Sequence, residues 1–143
     1  MPVYTDSRYR IKRNAAQEEL MKYLFQDLKV FQSYSQILMI SAIVGYNNKA
    51  FAKIEKSASD PVQITFFTDR DKDFMDFLAY AHTKDQSILS GNEKYEIFEA
   101  YANGGFPILV EKLGINVMER HKNDRLEIIK KYYLLLLTNG FNQ

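Results

Sequence analysis

The sequence has no cysteine and only two histidines, His82 and His121. This excludes disulfides, thiolate metal sites, iron–sulfur clusters, a cysteine nucleophile and any multi-histidine metal centre, so the fold must stand on packing alone. Long hydrophobic runs are missing as well. The longest apolar stretch, Tyr132 to Leu137, is far too short to span a bilayer, and Met1-Pro2-Val3-Tyr4-Thr5-Asp6 lacks the apolar core of a signal peptide. The expected location is the cytoplasm, with no membrane partner. Nor is there an excess of one charge sign. Nineteen Lys+Arg stand against eighteen Asp+Glu, a net charge of +1, which excludes a uniformly basic domain that coats nucleic acid.

What remains is ordinary globular material. The 143 residues are 46% apolar and 26% charged, which suits one core in one domain spanning 1–143. The near-neutral total hides a polarity. Residues 1–60 carry nine Lys/Arg and six Asp/Glu, residues 61–118 five and nine, and residues 119–143 five and three. An acidic middle lies between two basic ends.

Arg8-Tyr9-Arg10-Ile11-Lys12-Arg13 alternates basic and apolar residues at period two, the pattern of a short half-exposed strand. Asn14 can cap a first helix running to about Asp27, with Glu18 and Glu19 in its first turns, where the dipole favours anions. Ser33-x-x-Gln36 opens a second helix that is apolar on nearly every face and reaches Gly45, read as its C′ residue. Such a helix is central in a core or covered by a partner chain. Residues 46–60 read as a polar connection anchored by Phe51 and Ile54. Pro61 opens a short strand, Val62 to Phe67, for which the 8–13 arm is the intramolecular partner at hand.

Thr68-x-x-Asp71 predicts a third helix ending near His82, with Phe74, Phe77, Leu78 and Ala81 as its apolar stripe. Ser90-x-x-Glu93 predicts a fourth, stopped by Gly104-Gly105, and Pro107 a fifth from Phe106 to about Leu113. A sixth runs from Asp124 to Thr138, closed by Asn139-Gly140. The fold class is therefore mainly α: a compact single domain of about six helices with one or two short strands, in which 8–45 form a strand-helix-helix unit and 61–143 the helical remainder.

Chemistry-bearing constellations are sparse. Asp69, Asp71 and Asp73 have the spacing that opens a calcium loop, but Phe74 replaces the required glycine and Tyr80 the closing glutamate, so no metal or cofactor is expected. His82 with Asp85, and Glu96 with Glu99, are candidate acid/base pairs without a nucleophile motif. A small nuclease or hydrolase using the carboxylates of 69–99 is the enzymatic alternative they leave open. No P-loop, G-x-G-x-x-G or G-x-S-x-G occurs.

The order strand, helix, second helix with serine at its start matches a ribbon-helix-helix unit, a homodimer whose paired strands read DNA. On that reading Arg8, Arg10, Lys12 and Arg13 contact DNA, and Ser33 and Ser35 hold a phosphate at the second helix N-terminus. Tyr101, Asn103, Gly104 and Gly105 form a glycine-rich reversal that serves as a helix C-cap turn or a partner contact. The last helix, with Tyr132-Tyr133 and Leu134 to Leu137, is either a central core helix or a docking face for another subunit.

Several stretches taken together, RIKRNAAQEELMKYL, SYSQILMISAIVGY, PVQITFF, DFLAYAHTKDQSILS and above all YEIFEAYANGGFPILVEKL, resemble the dnd system-associated protein 4 family. These are small bacterial proteins encoded beside DNA phosphorothioation genes and their restriction partners. The resemblance runs from about residue 8 to residue 113, and Phe98 to Gly105 is its most specific part. It implies a role in a defence system in which sulfur-modified DNA marks self, with protein subunits of that system as partners. It brings no catalytic residues. The expectation is a non-enzymatic accessory subunit acting through protein and DNA contacts, with a ribbon-helix-helix regulator of the same gene cluster as the alternative.

Overall fold

Two helices cross at the centre and bury most of their length against each other and their neighbours. The computed structural model describes residues 8–138, and the predicted closure of the last helix at Asn139-Gly140 lies outside them. The central pair is α2 (Tyr34–Asn47) and α4 (Glu93–Lys112). Around them in chain order lie β1 (Arg10–Ile11), α1 (Glu18–Lys22), β2 (Val62–Gln63), α3 (Asp69–Thr83) and α5 (Arg125–Leu137). The architecture is mainly α and compact, as composition and periodicity predict.

Five α-helices occur among the described residues rather than six, because Gly104-Gly105 does not stop α4. The glycines serve close packing. A Cβ on Gly105 would overlap the Ser41 carbonyl and the Gly45 backbone, and one on Gly45 would overlap the Tyr101 carbonyl. Gly45 accordingly sits inside α2, which continues to Asn47, rather than at its C′ position. Glycine costs about 1 kcal/mol in a helix interior relative to alanine, offset here by backbone-to-backbone contact of the two core helices.

Pro107 lies within α4 and not in the first turn of a new helix. Its missing N–H leaves the Asn103 carbonyl without the usual donor four residues on. Gln17 repairs this, its Nε2 donating to Asn103 O at 3.0 Å.

β1 and β2 pair antiparallel, Arg10 opposite Gln63 and Ile11 opposite Val62. The second strand is shorter than predicted, because Ile64–Phe66 turns into a 3-10 turn that buries Ile64. Helical structure covers 15–27 as expected: Asn14 accepts from Ala16 N at 2.8 Å, a 3-10 turn leads into α1, and a π turn (Tyr23–Asp27) follows it.

Thr68 and Asp71 form the expected capping box of α3. The inward stripe of α3 is Met75, Leu78 and Ala79, with Phe77 turned out to solvent. Ser90 closes a 3-10 turn instead of capping α4, whose N-cap is Asn92. Of the two expectations for the last helix, the core one is not met: α5 is peripheral, buries Ile128 and Tyr132, and leaves Leu126, Tyr133, Leu134 and Leu137 exposed.

Candidate functional site

Residues 48–58 strap across α4 to the N-terminal arm. Lys49 adopts a left-handed conformation just past α2, and Gly104 gives the chain room, since a Cβ there would overlap the Ala50 carbonyl. Ala52 N then donates to Ala100 O at 3.1 Å, and Ala58 N to Arg13 O at 2.7 Å. Asn103 ties the layers together. Its Nδ2 donates to Ala52 O at 2.7 Å, and its Oδ1 accepts from Asn14 Nδ2 at 2.8 Å and Gln17 Nε2 at 3.1 Å. The predicted Asn-Gly-Gly reversal is therefore a crossing point inside the fold.

Between strap, arm, the end of α3 and α4 opens a cleft of about 570 Å³. Glu93, Glu96 and Glu99 enter it from one face of α4, three residues apart. Lys12 and Lys53 supply the opposite charge, and Phe51 and His82 an aromatic wall, their rings stacked at 4.5 Å. His82 Nδ1 also shares a hydrogen bond with the Tyr101 hydroxyl at 2.8 Å.

Glu99 is only 5% exposed. Its Oε2 accepts from the Tyr9 hydroxyl at 3.0 Å and from Lys12 N at 2.8 Å, which binds the arm to α4. Burial raises the Glu99 carboxyl to about 7, against the lowering pull of the Lys12 N–H, the Tyr9 hydroxyl and the Lys12 charge. Burial, and next the Glu99 charge, hold the Tyr9 hydroxyl well above its ordinary range.

The residues predicted to meet DNA separate into two groups. Arg8, Arg10 and Lys12 have exposed side chains. Arg13 is buried: its guanidinium donates to Asp60 O at 2.6 Å, lies 3.8 Å from Glu18 and stacks 4.4 Å over the Tyr34 ring, so it is unavailable to a phosphate. Ser33 caps α2, accepting from Gln36 N at 3.1 Å, and Ser35 Oγ lies 2.9 Å from Ser33 Oγ. The hollow beside them, about 360 Å³, is walled by Phe25, Tyr34, Val62 and Phe66 and has Asp60 as its charged residue, a poor setting for an anion. The ribbon-helix-helix order is present but its pairing is not. One edge of β1 is taken by β2, and Lys12 N, on the other edge, is bound to Glu99.

The carboxylates of 69–99 do not all converge: Glu93, Glu96 and Glu99 share the cleft, and the aspartates lie elsewhere. Asp73 and Asp76 line a separate groove beside Phe77, and Asp85 accepts from Ser87 N and Oγ instead of pairing with His82. Hydrogen bonds from Ser87 hold Asp85 below the usual carboxylate range. Among the described residues no three His, Asp or Glu groups are arranged to hold a metal, and no helix is long and apolar enough to cross a membrane.

Tyr9, Phe51 and the strap build the site without a functional motif to mark them in the sequence. Only the period-two pattern gave a signal for Tyr9, as a residue on the opposite side of the arm from Arg8 and Arg10.

A family model described as DNA sulphur modification system-associated protein 4 matches residues 10–133, which takes in the arm from Arg10, the strap, the cleft and most of α5. The chain belongs to that family. No curated protein and no solved structure matches it. The family's description ties the protein to a DNA sulphur modification system, and the match extends beyond Leu113 to Tyr133, within α5.

Proposed function

We propose that this member of the family is a non-enzymatic accessory subunit of a DNA phosphorothioation-dependent restriction system, an antiviral defence role, and that it works in the cytoplasm by binding protein partners of that system. The observation that carries the reading is the use made of Glu99. The most desolvated carboxylate in the cleft holds the N-terminal arm through Tyr9 and Lys12, so it shapes a recognition surface instead of standing opposite a nucleophile. Glutamates, lysines and an aromatic wall side by side suit a protein segment carrying both charge signs.

Direct DNA contact is a second reading, favoured by the exposed Arg8, Arg10 and Lys12 on one arm. A salt titration of duplex binding separates the two. If the arm meets phosphates, each alanine substitution at these positions lowers the log–log salt slope by about 0.9. Undetectable or salt-independent binding leaves the protein-partner role alone. Cleavage of nucleic acid or hydrolysis of nucleotides by the purified chain, abolished by Glu99→Gln or His82→Ala, would overturn the non-enzymatic reading.

A further inference from the structure

Two helices carry apolar side chains on faces that nothing among the described residues covers, and their charges are opposite. On α5 the outward stripe is Leu126, Lys130, Tyr133, Leu134 and Leu137, at the i, i+4, i+7, i+8, i+11 spacing of one helix face. Leu126 is 63% exposed and Leu137 83%. Leucines left this bare along one stripe are typical of an interface rather than of scattered surface residues. Arg125, Lys130 and Lys131 against Glu127 make the helix basic. On α3 the outward face centres on Phe77, 73% exposed, with Tyr80 and Asp73 beside it. It looks into a groove of about 440 Å³ closed by Gln86 and Leu89, whose charged lining is Asp73 and Asp76. Four aspartates against Arg70 and Lys72 make α3 acidic.

We infer that α5 of one copy of this chain seats on the α3 groove of a second copy. The Leu126–Leu137 stripe fills the aromatic groove, and Lys130, which in its own chain has an exposed pair with Glu127 at 3.3 Å, turns to meet Asp73. Asp76 is already paired with the buried Lys94 at 2.9 Å, whereas Asp73 makes no ion pair among the described residues and is the carboxylate left to receive a lysine. Charge complementarity selects this occupant. Two α5 helices packed face to face would set basic against basic, and an acidic helix with exposed aromatics is what a basic leucine-rich helix lacks. The inference is independent of the cleft and of the proposed role, because neither helix face contributes to the site between arm and strap.

A charge swap tests it, because both substituted positions are exposed and the swap carries its own rescue. Sedimentation of the full chain is measured for the wild type, Asp73→Lys, Lys130→Glu, their equimolar mixture and the double variant. The expected result is self-association of the wild type, weakened about tenfold in each single variant and restored in the mixture and in the double variant, where lysine and glutamate have traded places. Phe77→Ala and Leu134→Ala weaken it without touching a charge. A wild type that stays monomeric at high concentration overturns the inference. So does an Asp73→Lys variant that associates as strongly as the wild type, the result expected of an α5-to-α5 contact, and so does a mixture that associates no better than the single variants.

Discussion

Replacing Glu99 with glutamine changes the pH dependence of stability in a direction fixed by the fold. In the folded chain the carboxyl is raised by burial from 4.5 to about 7. The folded state thus holds the proton more tightly than the unfolded chain does. The stability that this proton contributes is fully present below pH 4.5 and is lost as pH rises to about 7. A change of that size corresponds to about 3 kcal/mol. Glutamine imitates the protonated acid, and its amide oxygen can still accept from Tyr9 Oη and Lys12 N. Denaturant unfolding at a series of pH values should give equal stabilities for wild type and Glu99→Gln near pH 4.5. By pH 8 the variant should be the more stable by about 3 kcal/mol. A difference that does not change between these pH values, or a variant that is the less stable at pH 8, would refute the account of Glu99 as a buried carboxyl holding the arm.

Three further outcomes follow from the packing, each checked by denaturant unfolding. Gly105→Ala forces α4 away from the Ser41 carbonyl and should cost about 3 kcal/mol or more, whereas Gly91→Ala, whose Cβ meets nothing within 4 Å, should be nearly neutral. Gln17→Ala withdraws the donor from the carbonyl freed by Pro107 and should cost about 1 kcal/mol; a Pro107→Ala background restores the backbone donor, so a double-mutant cycle should show coupling of similar size. Asp76→Asn removes the charge partner of Lys94, which is 1% exposed, and should cost about 3–5 kcal/mol, where an equivalent change at the exposed Lys130–Glu127 pair costs under about 1 kcal/mol.

Much of the architecture was legible in the chain because it follows from local rules. Asn14, Ser33 and Thr68 each cap where a short polar side chain precedes an apolar period, and the arm finds the Val62 strand because the described residues offer no other partner strand. Legibility failed where a local rule met a tertiary reason. Gly45, Gly104 and Gly105 look like helix stops in one dimension, yet the contacts that demand glycine come from segments about fifty to sixty residues away. Pro107 reads as a helix start because the rescuing donor, Gln17, lies ninety positions earlier. The cleft was half visible: Glu96, Glu99 and His82 stood out as titratable residues, while their convergence with Lys12 and Phe51 depends on how the strap crosses α4. The arm misled in one respect. Period-two alternation groups Arg13 with the apolar positions Tyr9 and Ile11, and burial follows that phase, so a guanidinium counted as DNA-facing sits beneath Tyr34.

Co-expression with each protein of the DNA sulphur modification system, followed by nuclease treatment and size-exclusion chromatography, decides whether the protein acts by binding partners within it. The chain should elute in a complex with one of them, the complex should survive removal of nucleic acid, and Glu96→Lys in the cleft should release it. Elution of the chain apart from every one of those proteins, with or without nuclease, would contradict the partner-binding role.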